Sequence, residues 1–88
     1  MDQYFTRDEA EALLGRGVIA EREHGGVLDG MPGRVVAAEP LQEGEPRFVA
    51  VVEWSTEHGH ERHRYSRWEW HGLLRAADDR TQLRHLPG

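Results

Sequence analysis

The chain of 88 residues contains no cysteine, no lysine and no asparagine, and the first two absences narrow what it can be. Without cysteine there is no disulfide framework, no thiolate zinc site and no cysteine nucleophile, a composition that agrees with a reducing compartment. Without lysine all eleven basic side chains are arginines, a bias of the kind a GC-rich genome produces. Long apolar runs are missing as well. No stretch approaches the roughly 20 residues of a membrane span, and the opening Met1-Asp2-Gln3-Tyr4-Phe5 carries an acid where a targeting peptide carries bases. These features predict a cytoplasmic protein with no membrane partner. Basic charge is also scarce: sixteen acidic residues against eleven basic give a formal charge of −5. That balance disfavours an autonomous nucleic-acid binder and makes another protein the expected partner. The length leaves room for one domain, residues 1–88, and excludes a multidomain enzyme.

The apolar residues that are present fall in short, bounded groups, which predicts order. Thr6 can cap a helix, and Glu9 three residues later completes a capping box, with Phe5 as its staple and Ala10, Leu13 and Leu14 as its apolar stripe. Gly15 and Gly17 end that helix. Val18, Ile19 and Ala20 read as a short strand, and the glycine-rich run from Gly25 to Gly33 as a loop or tight turn. Arg34 to Ala38 gives a second strand, and Pro40 to Pro46 an exposed connection. Arg47 to Trp54 is a third strand, alternating Phe48, Ala50, Val52 and Trp54 against Arg47, Val49, Val51 and Glu53. A hairpin turn near Gly59 returns the chain to Tyr65. Ser66 and Glu69 then repeat the capping box, ahead of a second apolar stripe of Trp70, Leu73, Leu74 and Ala77. Thr81 to Leu86 reads as a last strand. The two capped segments match at an offset of 60 residues, Phe5-Thr6-Arg7 and Glu9 answering Tyr65-Ser66-Arg67 and Glu69.

Short strands, glycine turns and a short helix near residues 66–77 before the last strand favour a mainly β (α+β) fold. The expected form is a small, bent antiparallel sheet of about five strands closed into a partial barrel, with an N-terminal helix, the SH3-like arrangement. The chain resembles a group of small, largely uncharacterised bacterial proteins. The resemblance rests on the Phe5-Thr6-Arg7-Asp8-Glu9-Ala10 helix start, the segment from Val27 to Val36, the strand Val51-Val52-Glu53-Trp54, and Tyr65-Ser66-Arg67-Trp68-Glu69-Trp70. It spans roughly Phe5 to Leu74, and it implies an SH3-like barrel and no catalytic residues. The Gly30 to Val36 segment is also similar to the loop-strand element of KOW and Tudor-type barrels.

Three constellations can carry chemistry. His58, His60 and His63, interleaved with Glu57 and Glu61, offer ligands for Zn²⁺ or Ni²⁺, yet their spacing matches no specific metal signature and also suits a solvated loop. Trp54, Tyr65, Trp68 and Trp70 can gather at one barrel end; Trp54 and Trp70 fit the inward pattern of their elements, whereas Trp68 lies on a different helical face. Charge is uneven along the chain. Residues 1–61 hold thirteen acidic and five basic side chains, net −8, and residues 62–88 three acidic and six basic, net +3. Catalysis has the least support: no nucleophile elbow, phosphate loop or spaced metalloenzyme motif occurs, and Thr6, Ser55 and Ser66 suit turn and cap roles. The sequence reading is therefore a non-enzymatic, cofactor-free interaction module that presents Tyr65, Arg67, Trp68, Arg64 and Arg62 to a protein partner. A nucleic-acid-associated KOW-like or Tudor-like regulator is the alternative, and a metal site at His58, His60 and His63 comes third. Exposed edge strands leave a homodimer open.

Overall fold

In the computed structural model, which describes residues 3–77, the chain forms α1 (Arg7–Ala12), β1 (Gly17–Ala20), β2 (Pro32–Pro40), β3 (Phe48–Thr56), β4 (Gly59–Tyr65), α2 (Arg67–Leu73) and β5 (Leu74–Ala76) in that order. The five strands make one antiparallel sheet in the order β4-β3-β2-β1-β5. Both helices begin as their sequences predict. Thr6 accepts from the Glu9 amide at 3.2 Å while the Glu9 carboxylate accepts from the Thr6 amide at 2.9 Å. Ser66 and Glu69 do the same at 3.1 and 2.9 Å, so each box satisfies two amides that an open helix end would leave orphaned.

Two expectations are corrected. The sheet is open and not a closed barrel: β4 and β5 are its two edges, and α2 carries the chain from one to the other. The three residues of β5 are used in pairing with β1, which leaves little strand to close the sheet onto β4. The second helix also stops at Leu73 instead of running on to Ala77. Leu74 turns to extended backbone (φ −129°, ψ 160°) and places its side chain in the core opposite Ala20, where its burial stabilises β5 on the sheet. The strand expected over Thr81 to Leu86 lies outside the described residues.

Strand register sorts the side chains by face. Ala50, Val52 and Trp54 of β3 meet Tyr65, His63 and Glu61 of β4 on one side, and Val35 and Gly33 of β2 on the other. This inner face, with Val18, Ala20 and Leu74, packs against Phe5, Ala10, Val27 and Trp70 to form the core. Gly33 sits opposite Trp54, and a Cβ there would stand 2.6 Å from the indole Cε3, so the large ring fits only because its cross-strand neighbour has no side chain. The outer face carries Arg34 on β2, Glu53 on β3, and Arg62 and Arg64 on β4. Val49 and Val51 of that face are nonetheless buried, with the stems of Glu39 and Arg64 beside them in register.

The two capped segments are joined in space. Phe5 meets Trp70 edge to face at 6.0 Å, the Trp68 amide donates to the Gln3 carbonyl at 3.0 Å, and Arg67 pairs with Glu9 while lying over the Phe5 ring. The Thr6 amide, and then Arg67, hold the Glu9 carboxyl below the usual carboxylate range. Its stabilising contribution is therefore present at neutral pH and lost as pH falls through that range. Glu9→Gln is expected to flatten the acid limb of the stability profile, read as urea midpoints from about pH 6 to pH 3. Gly33→Ala is expected to destabilise by roughly 1–3 kcal/mol through overpacking against Trp54, measured by urea denaturation.

Candidate functional site

The residues the sequence groups together are separated by the fold. Along β4, side chains alternate between faces, so Tyr65 points inward and is only 2 % exposed, while Arg62 and Arg64 point outward. Tyr65 therefore belongs to the core and not to an exposed binding surface, which corrects the sequence expectation. Arg62 pairs with Glu53 at 3.2 Å, Arg64 with Glu39 at 3.4 Å, and Arg67 with Glu9 across the two helix starts. Each of these arginines is thus matched by a carboxylate of its own chain. The predicted metal triad is also dispersed. His58 lies in the β3–β4 turn, His60 faces Ser55 on the outer side at 3.3 Å, and His63 faces inward beside Glu61 at 3.5 Å. Among the described residues no group of three or more His, Cys, Asp or Glu side chains could hold a metal ion.

What remains exposed is Trp68. It lies two residues before Trp70 on α2, which turns it away from the inward face that buries Trp70, and 74 % of its surface is accessible. Around it, Arg22, Glu69, His71, Gly72 and Leu73 line an open cleft of about 590 Å³. Gly72 stands four residues on from Trp68, and a Cβ added there would meet nothing within 4 Å, so that part of the helix surface is open. One Glu69 oxygen accepts from the Ser66 amide, whereas Arg22 makes no side-chain hydrogen bond or ion pair among the described residues. The cleft thus combines an accessible indole, the exposed Arg22 guanidinium and the partly buried Leu73.

The wall that carries Arg22 is set by an inner polar network that periodicity does not reveal. The segment from Glu21 to Met31 folds back over the sheet. Its turn, His24 to Val27, has positive φ at both Gly25 (54°) and Gly26 (89°), the geometry of a type I′ turn. Val27 is thereby fully buried, and His24 reaches the sheet. His24 Nδ1 stands 2.7 Å from the Arg22 carbonyl, which can only accept, so Nδ1 carries the proton. In the neutral ring Nε2 is then an acceptor, and it takes the Tyr65 hydroxyl hydrogen at 2.6 Å. The same hydroxyl oxygen accepts from the Trp54 indole N–H at 3.1 Å. Burial pushes the Tyr65 phenol from its ordinary 10.0 up to about 12, against the opposing effect of the Trp54 hydrogen bond and with some help from the Glu69 charge.

Comparison of the chain with protein-family models, with curated proteins and with solved structures finds no match in any of the three. The class is therefore defined by the fold alone: a small β-rich domain built on an open, five-stranded antiparallel sheet with two short helices. Among the described residues no helix is long and apolar enough to cross a membrane.

Tyr65→Phe leaves both the Trp54 N–H and His24 Nε2 without their shared partner, and is expected to cost about 1–3 kcal/mol. In the parent protein stability should fall as pH rises from 10.0 toward about 12, where the phenol ionises more easily unfolded than folded. That alkaline loss should shrink in the variant, as read by urea midpoints across the same range.

Proposed function

We propose that this domain is a non-enzymatic interaction module whose docking point for a partner protein is the cleft around Trp68. The observation that carries the reading is the exposure of one tryptophan in a chain that buries its other two. Leaving a large indole in water forfeits burial free energy, and exposed Trp and Arg side by side are the residue types that anchor protein interfaces. Arg22 supplies the guanidinium, since Arg62, Arg64 and Arg67 are each engaged by carboxylates. An SH3-like relationship is supported by the strand order, in which a short helix follows β4 and β5 then pairs with β1.

A nucleic-acid-associated role is the second reading, favoured by Arg34, Arg62, Arg64 and Arg75 sharing the outer face of the sheet. Glu39 and Glu53 on the same face offset half of that charge, and the exposed indole stands on α2 and not among those arginines. Anisotropy with single-stranded and double-stranded oligonucleotides at low salt separates the readings. Binding lost on Arg62→Glu and Arg64→Glu, with Trp68→Ala neutral, would favour nucleic acid.

For the preferred reading, selection from a phage-displayed peptide library should enrich sequences that no longer bind after Trp68→Ala or Arg22→Ala. Both positions are exposed, so thermal unfolding should stay within about 0.5 kcal/mol of the parent. Peptides that bind the two variants as well as the parent would place the docking point elsewhere.

A further inference from the structure

We propose that His24 is an acid-sensitive latch: its neutral ring locks the segment Glu21 to Met31 onto the sheet, and uptake of a second ring proton releases that segment together with the Arg22 wall of the Trp68 cleft. Release of the Arg22 wall bears on function only if the Trp68 cleft is the docking point, whereas release of the segment stands without that reading.

The segment has few other attachments. From Glu21 to Gly30 the side chains are exposed except Val27, which is fully buried, and His24, which is half-buried. Its backbone ties to the rest of the fold lie near its ends, where the Glu21 amide donates to the Leu73 carbonyl and the Gly30 amide to the Ala20 carbonyl, both at 2.8 Å. Between them, the turn is held by Val27 and by the run of hydrogen bonds from Trp54 through Tyr65 to His24 and on to the Arg22 carbonyl.

That run works in one direction only. Trp54 Nε1 has a hydrogen to donate and nothing to accept with, and the Arg22 carbonyl can only accept. The Tyr65 hydroxyl must therefore give its hydrogen to Nε2, which requires an imidazole with a bare Nε2. A second ring proton removes that acceptor. The hydroxyl oxygen then faces two N–H donors, and its own hydrogen turns into a site only 2 % exposed, where among the described residues no other group bonds it. A buried donor without a partner is the costly outcome.

The surroundings do not compensate. From β3, His24 meets the edge of the Trp54 ring at 6.1 Å between centroids; from β4 it meets Tyr65 at 5.5 Å and His63 at 6.4 Å. From α2 the Glu69 charge is felt at Tyr65, and on the segment itself Glu21, Arg22 and Glu23 are exposed. No carboxylate lies within ion-pair distance of His24 among the described residues, whereas the neighbouring His63 has Glu61 at 3.5 Å. The His63 ring in turn supports the turn from below: its Cε1 stands 3.0 Å from where a Gly25 Cβ would be. Imidazole is the side chain that ordinarily takes up a proton between about pH 5 and pH 8, which sets the range in which the latch is tested.

The test follows the protein with ¹⁵N-labelled histidines between pH 8 and pH 5. At pH 8 His24 should show the tautomer protonated on Nδ1. As it charges, amide protection at Val27 and Gly30, corrected for intrinsic exchange, should fall at least tenfold, while Val52 of the central strand stays protected. His24→Gln offers an acceptor that does not titrate, and should remove the pH dependence; His63→Gln should retain it. Unchanged protection while the His24 signals report charging would overturn the latch, and so would a pH dependence that persists in a folded His24→Gln. If that variant does not fold, the parent profile alone decides. Peptides selected at pH 7.5 as above provide the second readout. Weaker binding at pH 5 in the parent but not in His24→Gln supports the whole proposal. Segment release with unchanged peptide binding removes the link to the cleft and counts against the docking reading, leaving the latch.

Discussion

A buried indole N–H must find an acceptor, and in this domain much of the architecture follows from how Trp54 finds one. The ring lies on the inner face of the central strand β3, fully enclosed, and fits there because Gly33 on β2 yields the space a side chain would fill. Its N–H is satisfied by the Tyr65 hydroxyl on β4, which is itself buried and must pass its own hydrogen on. The next acceptor comes from outside the sheet, on His24, and the turn that delivers it needs glycine at both central positions. One polar atom thus links β3, β4 and the segment between β1 and β2. The network is fully paired, the condition under which buried polar groups specify a single packing.

The second organising contact joins the chain ends of the sheet. Phe5 and Trp70 pack edge to face, and the first-turn carboxylate of α1 is shared between its own cap and the first arginine of α2. The short helices therefore support each other, which matters because helices of six and seven residues have little stability alone. This joint also buries Trp70 and turns Trp68 outward, so the packing that stabilises α2 is what leaves an indole in solvent beside Arg22.

Charge behaves differently in space than along the chain. The basic last third suggests a converging arginine surface, yet strand alternation sends Arg62 and Arg64 to the outer face, where Glu53 and Glu39 meet them. Arg67 is drawn to Glu9, 58 residues away. Exposed pairs of this kind contribute little to stability, but they change which cations remain free for a partner. Arg22, flanked by acidic neighbours in sequence, is the guanidinium that lines the cleft, and among the described residues no carboxylate pairs with it.

Features that depend on neighbours a few residues away were legible in the sequence. Both capping boxes, the hairpin returning to Tyr65, the inward alternation of β3 and the division of Trp54 and Trp70 from Trp68 all follow from local spacing. Tertiary packing decided the rest. It ended α2 at Leu73, with Leu74 buried as a strand residue beside Ala20, and it left the sheet open with α2 spanning from edge to edge. It also turned Tyr65 from a surface candidate into the hinge of a hydrogen-bond run, and joined His24 to it across 41 residues. Periodicity records which face a side chain takes. It holds no information about which distant donor meets which acceptor, since that match is set only when the segments are brought together and every buried polar atom must be paired.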